Sequence, residues 1–112
     1  KYFERVIHHE IFHIINDSFK DIFNEKTWSS FNPIEFNYAK CSTCTKKLGL
    51  DTYSKPNGFI TEYSQSTASE DMAEVFSHLM NGNMPKKIDP ILEKKIKFIR
   101  MNILRIDKNF IL

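Results

Sequence analysis

His9-Glu10-Ile11-Phe12-His13 is the stretch of this sequence whose residue types and spacing point most directly to chemistry. It has the form H-E-x-x-H. On a helix, residues four apart stack on one face, so His9 and His13 present two imidazoles to a single point. A tetrahedral zinc ion takes two of its ligands in that way. Glu10 lies about 100° round the helix from His9. From there its carboxylate reaches a metal-held water without binding the metal, the placement of a general base. Val6, Ile7, Ile11, Phe12, Ile14 and Ile15 surround the motif and predict a buried helix, where unused imidazoles and a carboxylate would be costly. His8 falls off the His9/His13 face and reads as a hydrogen-bonding or surface residue.

A catalytic zinc needs one more protein ligand and an open fourth position. The candidates lie in Glu70-Asp71-Met72-Ala73-Glu74. Glu70 and Glu74 share a helix face, and Asp71 is turned about 100° from Glu70. The spacing predicts that one glutamate takes the metal while the other receives the free N–H of a ligating histidine and fixes its orientation. Acids at a helix N-terminus also answer the helix dipole, which accounts for Glu70 and Asp71 but not for Glu74, a full turn further in.

Three helices must position these groups. Phe3, Val6, Ile7, Ile11, Ile14, Ile15, Phe19, Ile22 and Phe23 recur at helical spacing and predict a first helix from 2 to about 23, with a weak point at Asp17 and Ser18. Trp28 to Tyr38 reads as an ordered loop pinned by aromatics, and 39–57 as an exposed, mobile excursion. Gly58 to Tyr63 reads as a short extended segment. A second helix is expected from 69 or 70 to 81, with Ser69 the favoured cap and Asn81-Gly82-Asn83 ending it. Asp89 caps and Pro90 opens a third, running to about 106. Its stripe of Leu92, Ile96, Ile99, Ile103 and Ile106 is core. Lys94, Lys95, Lys97, Arg100 and Arg105 are expected mostly in solvent.

At 112 residues the chain is expected to be one domain, mainly α, with a single modest core. A net charge of +2, with no basic strip interleaved with aromatics, argues against nucleic acid. No apolar run has the length of a membrane span, and no signal-peptide pattern opens the sequence. Cys41 and Cys44 form a C-x-x-C without a second pair, so a surface turn with two thiols or a local disulfide is expected rather than a zinc knuckle.

With His9-Glu10-x-x-His13, Gly58-Phe59-Ile60-Thr61-Glu62-Tyr63 and Glu70-Asp71-x-Ala73-Glu74-Val75-Phe76 in view, the sequence resembles the gluzincin metallopeptidases. Two branches come nearest: a family of bacterial zinc-binding metallopeptidases, to which Trp28 to Tyr38 is also similar, and the lethal-factor-like proteases. Residues 6–80 carry the resemblance. It implies a zincin-like core and Zn2+ as cofactor. It also implies His9, His13 and Glu70 as ligands, Glu10 as general base, and Glu74 behind the first histidine. Tyr63, seven residues before Glu70, matches a tyrosine that faces the metal-bound oxygen in the second branch; by itself it reads as an aromatic core residue. The sheet that precedes the motif helix in such enzymes is missing, so 1–112 is expected to be a fragment of a longer protein. The C-x-x-C excursion and the long insertion between Phe36 and Gly58 are further departures from the family pattern.

The resulting expectation is a monomeric zinc peptidase acting on a peptide or protein substrate, with secretion or the cell envelope favoured by the resemblance. The alternative is a catalytically inactive zinc-binding or peptide-binding module of the same fold. A metal-free helical interaction domain is the plainest reading of all.

Overall fold

Helix α3, Ala68–Asn81, is the element against which the others pack. The computed structural model describes residues 2–41, 43–44, 48–50 and 57–110. The remaining helices are α1 (Tyr2–Ser18), α2 (Glu25–Ser29) and α4 (Pro90–Ile106), with one turn of 3-10 helix at Tyr63–Gln65. Every residue of α3 from Asp71 to His78 is buried. A helix without a solvated stripe must satisfy its polar side chains internally, and α3 has five of them in its span from Glu70 to His78.

Local chemistry sets the helix ends. Thr67 Oγ1 accepts from Glu70 N at 3.1 Å, so α3 starts at Ala68 and Thr67 is the cap, not Ser69. The Ser69 hydroxyl is committed elsewhere, 3.2 Å from His13 Nδ1. Gly82 closes α3 at φ 71°, a left-handed turn that glycine enters without the Cβ penalty. Asp89 Oδ1 accepts from Leu92 N at 2.8 Å and Pro90 opens α4, as the sequence predicts.

α1 departs from expectation twice. It stops at Ser18, not near 23; the Ser18 hydroxyl bonds back to Ile14 O and the chain turns through Phe19. That turn seats Phe23 in the core, its ring 5.1 Å from Phe12, which is in turn 5.2 Å from Phe76. The second departure concerns which face is buried. Phe12, Arg5, His9 and Asn16 are buried, whereas Phe3, Ile7, Ile11 and Ile14 are exposed, Ile14 by 68%. The aliphatic ridge of α1 thus faces outward among the described residues, because α3 offers polar partners to the other face.

A fourth helix, α2, begins where a loop was expected, capped by Asn24 Oδ1 on Thr27 N at 2.9 Å. It places Trp28 in the core. The indole N–H reaches Tyr38 and Asp71, and Phe36 packs on Phe59 at 4.6 Å, so aromatics do pin this connection. No strand forms among the described residues; the segment expected to be extended ends in the 3-10 turn. Of the expected excursion, 42, 45–47 and 51–56 lie outside the described residues. Cys41 and Cys44 are joined in a disulfide.

Lys95 is fully buried, contrary to its expected place in solvent. Its ammonium donates to Asp71 Oδ2 at 2.8 Å and to Gly58 O at 2.7 Å, and lies 4.0 Å from the centre of the Phe59 ring. Burial pulls the lysine down and pushes Asp71 up from their ordinary pKa values, against their mutual attraction. Gly58 holds φ 89°, and a Cβ there would sit 2.3 Å from Ile91 Cγ2, so only glycine lets this carbonyl approach.

Candidate metal centre

Arg5, His9 and His13 recur every four residues along α1, and Glu70 and Glu74 do the same on α3. Packed together, the two helices interleave these residues. Arg5 Nη1 donates to Glu74 Oε2 at 3.1 Å. His9 Nδ1 lies 2.7 Å from the same oxygen. His9 Nε2 and His13 Nε2 both face Glu70 Oε1, at 2.8 and 2.6 Å, and stand 3.1 Å from one another. The expected candidates His9, His13, Glu70 and Glu74 therefore meet across two segments more than 50 residues apart.

The contacts in this cluster require a proton or a cation between its nitrogens and oxygens. Glu74 has its carboxyl held below the ordinary range: burial alone would raise it, but His9, Arg5 and Thr61 more than compensate. As an ionised acceptor it takes the Nδ1–H of His9, which leaves Nε2 directed at Glu70. Two imidazole nitrogens and a carboxylate oxygen, all within 3.1 Å, would repel as bare lone pairs. Positive charge must lie among them, either as protons or as a metal ion. Without metal, burial opposes a charged His9, yet its bonds to Glu70 and Glu74 push it up to about 9. Glu70 is held well below the ordinary carboxylate range by His13, His9 and Tyr63, which overcome its burial.

The same three atoms suit zinc. Ligand atoms around a tetrahedral zinc at ~2.1 Å stand ~3.4 Å apart, roughly half an ångström wider than this triangle, and a point ~2 Å from all three exists. Glu10 is exposed, with an oxygen in a group whose ligand atoms, together with those of His9 and His13, all lie within 4.8 Å of one another. Two carboxylates could thus supply the third donor. Glu70 stands nearer, touching both nitrogens with one oxygen. Asp71, also weighed as a ligand, points away into Lys95.

Around this centre Thr61 Oγ1 donates to Glu74 Oε1 at 2.9 Å, and the Tyr63 hydroxyl donates to Glu70 Oε2 at 2.8 Å. A cavity of about 320 Å³ opens beside it, walled by Val6, Leu50 and Tyr63 with Arg5, Glu10 and Glu74. Sequence reasoning passed over Arg5, Thr61, Ser69 and Lys95. Arg5 and Lys95 had a signal: Arg5 is one turn before His9, and Lys95 falls between Leu92 and Ile99 on the core stripe.

A family model described as "Putative zinc-binding metallo-peptidase" matches residues 1–107. The chain belongs to that family. No curated protein and no solved structure matches it. Membership in a family described as zinc-binding metallopeptidases gives the His–Glu cluster a context independent of its geometry, and a peptidase family implies a peptide substrate. No helix among the described residues is long and apolar enough to cross a membrane.

Proposed function

We propose that this chain is a zinc-dependent peptidase of the gluzincin type, built on a zincin-like core. His9, His13 and Glu70 hold the ion in this reading, and Glu10 is the general base. When bound, zinc supplies a water of lowered pKa and polarises the carbonyl under attack. Glu10, exposed at the mouth of the site, takes a proton from the attacking water on its carboxylate and passes it to the leaving amine. Glu74 keeps the His9 Nδ1–H engaged, so that Nε2 offers its lone pair inward. Arg5 offsets the charge of the buried Glu74 carboxylate. The Cys41–Cys44 disulfide goes with an oxidising compartment, secreted or at the cell envelope.

One observation carries the reading: two imidazole nitrogens converge on a single carboxylate oxygen, with a further carboxylate free beside them. Glu10→Gln tests it. The variant is expected to bind one zinc per chain as the parent does, while turnover of an unstructured peptide falls by ~10²–10⁴. Cleavage at the parental rate would refute the role of Glu10. Stoichiometric zinc in a parent that hydrolyses no peptide would identify the non-catalytic module instead.

A further inference from the structure

We propose that Thr61 and Tyr63 form a two-point brace on the glutamates of α3, so that each carboxylate turns one chosen oxygen toward the histidines. The inference rests on the reading of His9, His13 and Glu70 as the metal-holding set. Each glutamate divides its oxygens in the same way. In Glu74, Oε1 accepts from Thr61 while Oε2 faces His9 and Arg5. In Glu70, Oε2 accepts from the Tyr63 hydroxyl while Oε1 faces His9 and His13. A carboxylate is free to offer a metal one oxygen or both. Here the outer oxygen of Glu70 is held by a phenol, so rotation to a two-oxygen grip requires breaking that bond.

The brace is a defined piece of backbone. Thr61 is fully buried; its Oγ1 also takes the N–H of Ser64 at 3.1 Å and meets Ser64 Oγ at 3.0 Å, closing a tight turn. Tyr63 is anchored by its own N–H on Gly49 O at 2.9 Å and by Ser66 N on its carbonyl at 3.0 Å. Thr61 and Tyr63 lie two residues apart, and the acids they reach lie four apart, so one short segment spans both. The resemblance would place the Tyr63 hydroxyl on the reacting oxygen. The geometry points instead to a positioning residue, acting through Glu70.

Tyr63→Phe removes one hydroxyl and little volume. Zinc affinity is measured by chelator competition on the full chain, with the visible spectrum of the cobalt-substituted protein and the melting temperature of the metal-free form. The brace predicts zinc binding ~10–100-fold weaker. It also predicts a weaker cobalt band as the freed oxygen joins the ion, with the metal-free melting temperature lowered only by the few degrees that one lost hydrogen bond costs. Thr61→Val is expected to weaken zinc in the same range and Thr61→Ser to restore it, which gives a second reading should either variant fold poorly. Unchanged zinc affinity and cobalt spectrum in Tyr63→Phe, with turnover alone reduced, would overturn the proposal and return Tyr63 to the reacting carbonyl. Glu70→Ala separates the two levels. If it leaves zinc affinity intact, the metal-holding set itself is wrong; if it abolishes binding while Tyr63→Phe does nothing, only the brace fails.

Discussion

Replacing Lys95 by methionine should destabilise the fold sharply although the residue lies outside the candidate site. The ammonium and the Asp71 carboxylate are both fully buried and 2.8 Å apart. Removing one member of such a pair typically costs ~3–5 kcal/mol, because the other charge is left without its counterion. Two features hold the loss to the lower end. Asp71 Oδ2 keeps the Trp28 N–H and the Tyr38 hydroxyl. Burial already pushes the Asp71 carboxyl upward, so without the ammonium it takes a proton rather than staying charged. Against that, Gly58 O loses its donor, worth ~1 kcal/mol. Methionine fills much of the lysine volume, so no large cavity adds to the sum. A loss near 3 kcal/mol is a fall in melting temperature of ~12 °C for a domain of this size. Circular dichroism melts of the parent, Lys95→Met and the double variant Asp71→Asn/Lys95→Met provide the assay. The double variant should melt above Lys95→Met, since the amide at 71 needs neither a counterion nor the uptake of a proton to stay buried. A single-variant loss under ~1 kcal/mol, or a double variant no better than the single, refutes the reasoning.

Two other outcomes follow from the centre itself. Glu74→Gln should weaken zinc ~10–100-fold by freeing the His9 ring, and should lower stability as well, because Arg5 loses its buried partner; chelator competition and melts measure both, and Glu10→Gln should alter neither. What His9, Glu70 and Glu74 contribute to the stability of the metal-free chain should be greatest between about pH 4.5 and 6.5. His9 is raised from 6.5 to about 9, so its contribution is complete below 6.5 and is lost as pH climbs through 9. Glu70 and Glu74 are depressed from 4.5, so theirs is complete above 4.5 and lost on acidification. Melting temperatures in a chelator that rise steadily from pH 6.5 to 9 would contradict this assignment.

The parts legible in the sequence were those written at one helical turn. His9/His13 and Glu70/Glu74 each share a face by spacing alone, and Asp89-Pro90 marks the start of α4 without help from tertiary structure. The residue types narrowed the third donor to Glu70, Asp71 and Glu74; choosing among them took the family resemblance. What stayed hidden depends on contacts far along the chain. The Lys95 stem lies on an apolar stripe, and only the arrival of Asp71 and Gly58 O makes its burial tolerable. The inner face of α1 is polar because α3 brings Glu70 and Glu74 to it, whereas apolar periodicity put the isoleucines inside. The expected cap, Ser69, is engaged by His13 across the helix pair, and Thr67 caps the helix in its place.

The outward ridge of α1 inverts the usual rule for redesigning a helix. Substitution ordinarily keeps isoleucines and varies charges. Here Phe3, Ile7 and Ile14 are the positions open to lysine, glutamate or glutamine, each a ready helix former, while Arg5, His9 and Asn16 are the ones to leave alone. Polar replacements along that ridge would give a less adhesive chain for metal titration and crystallisation with its inner face intact.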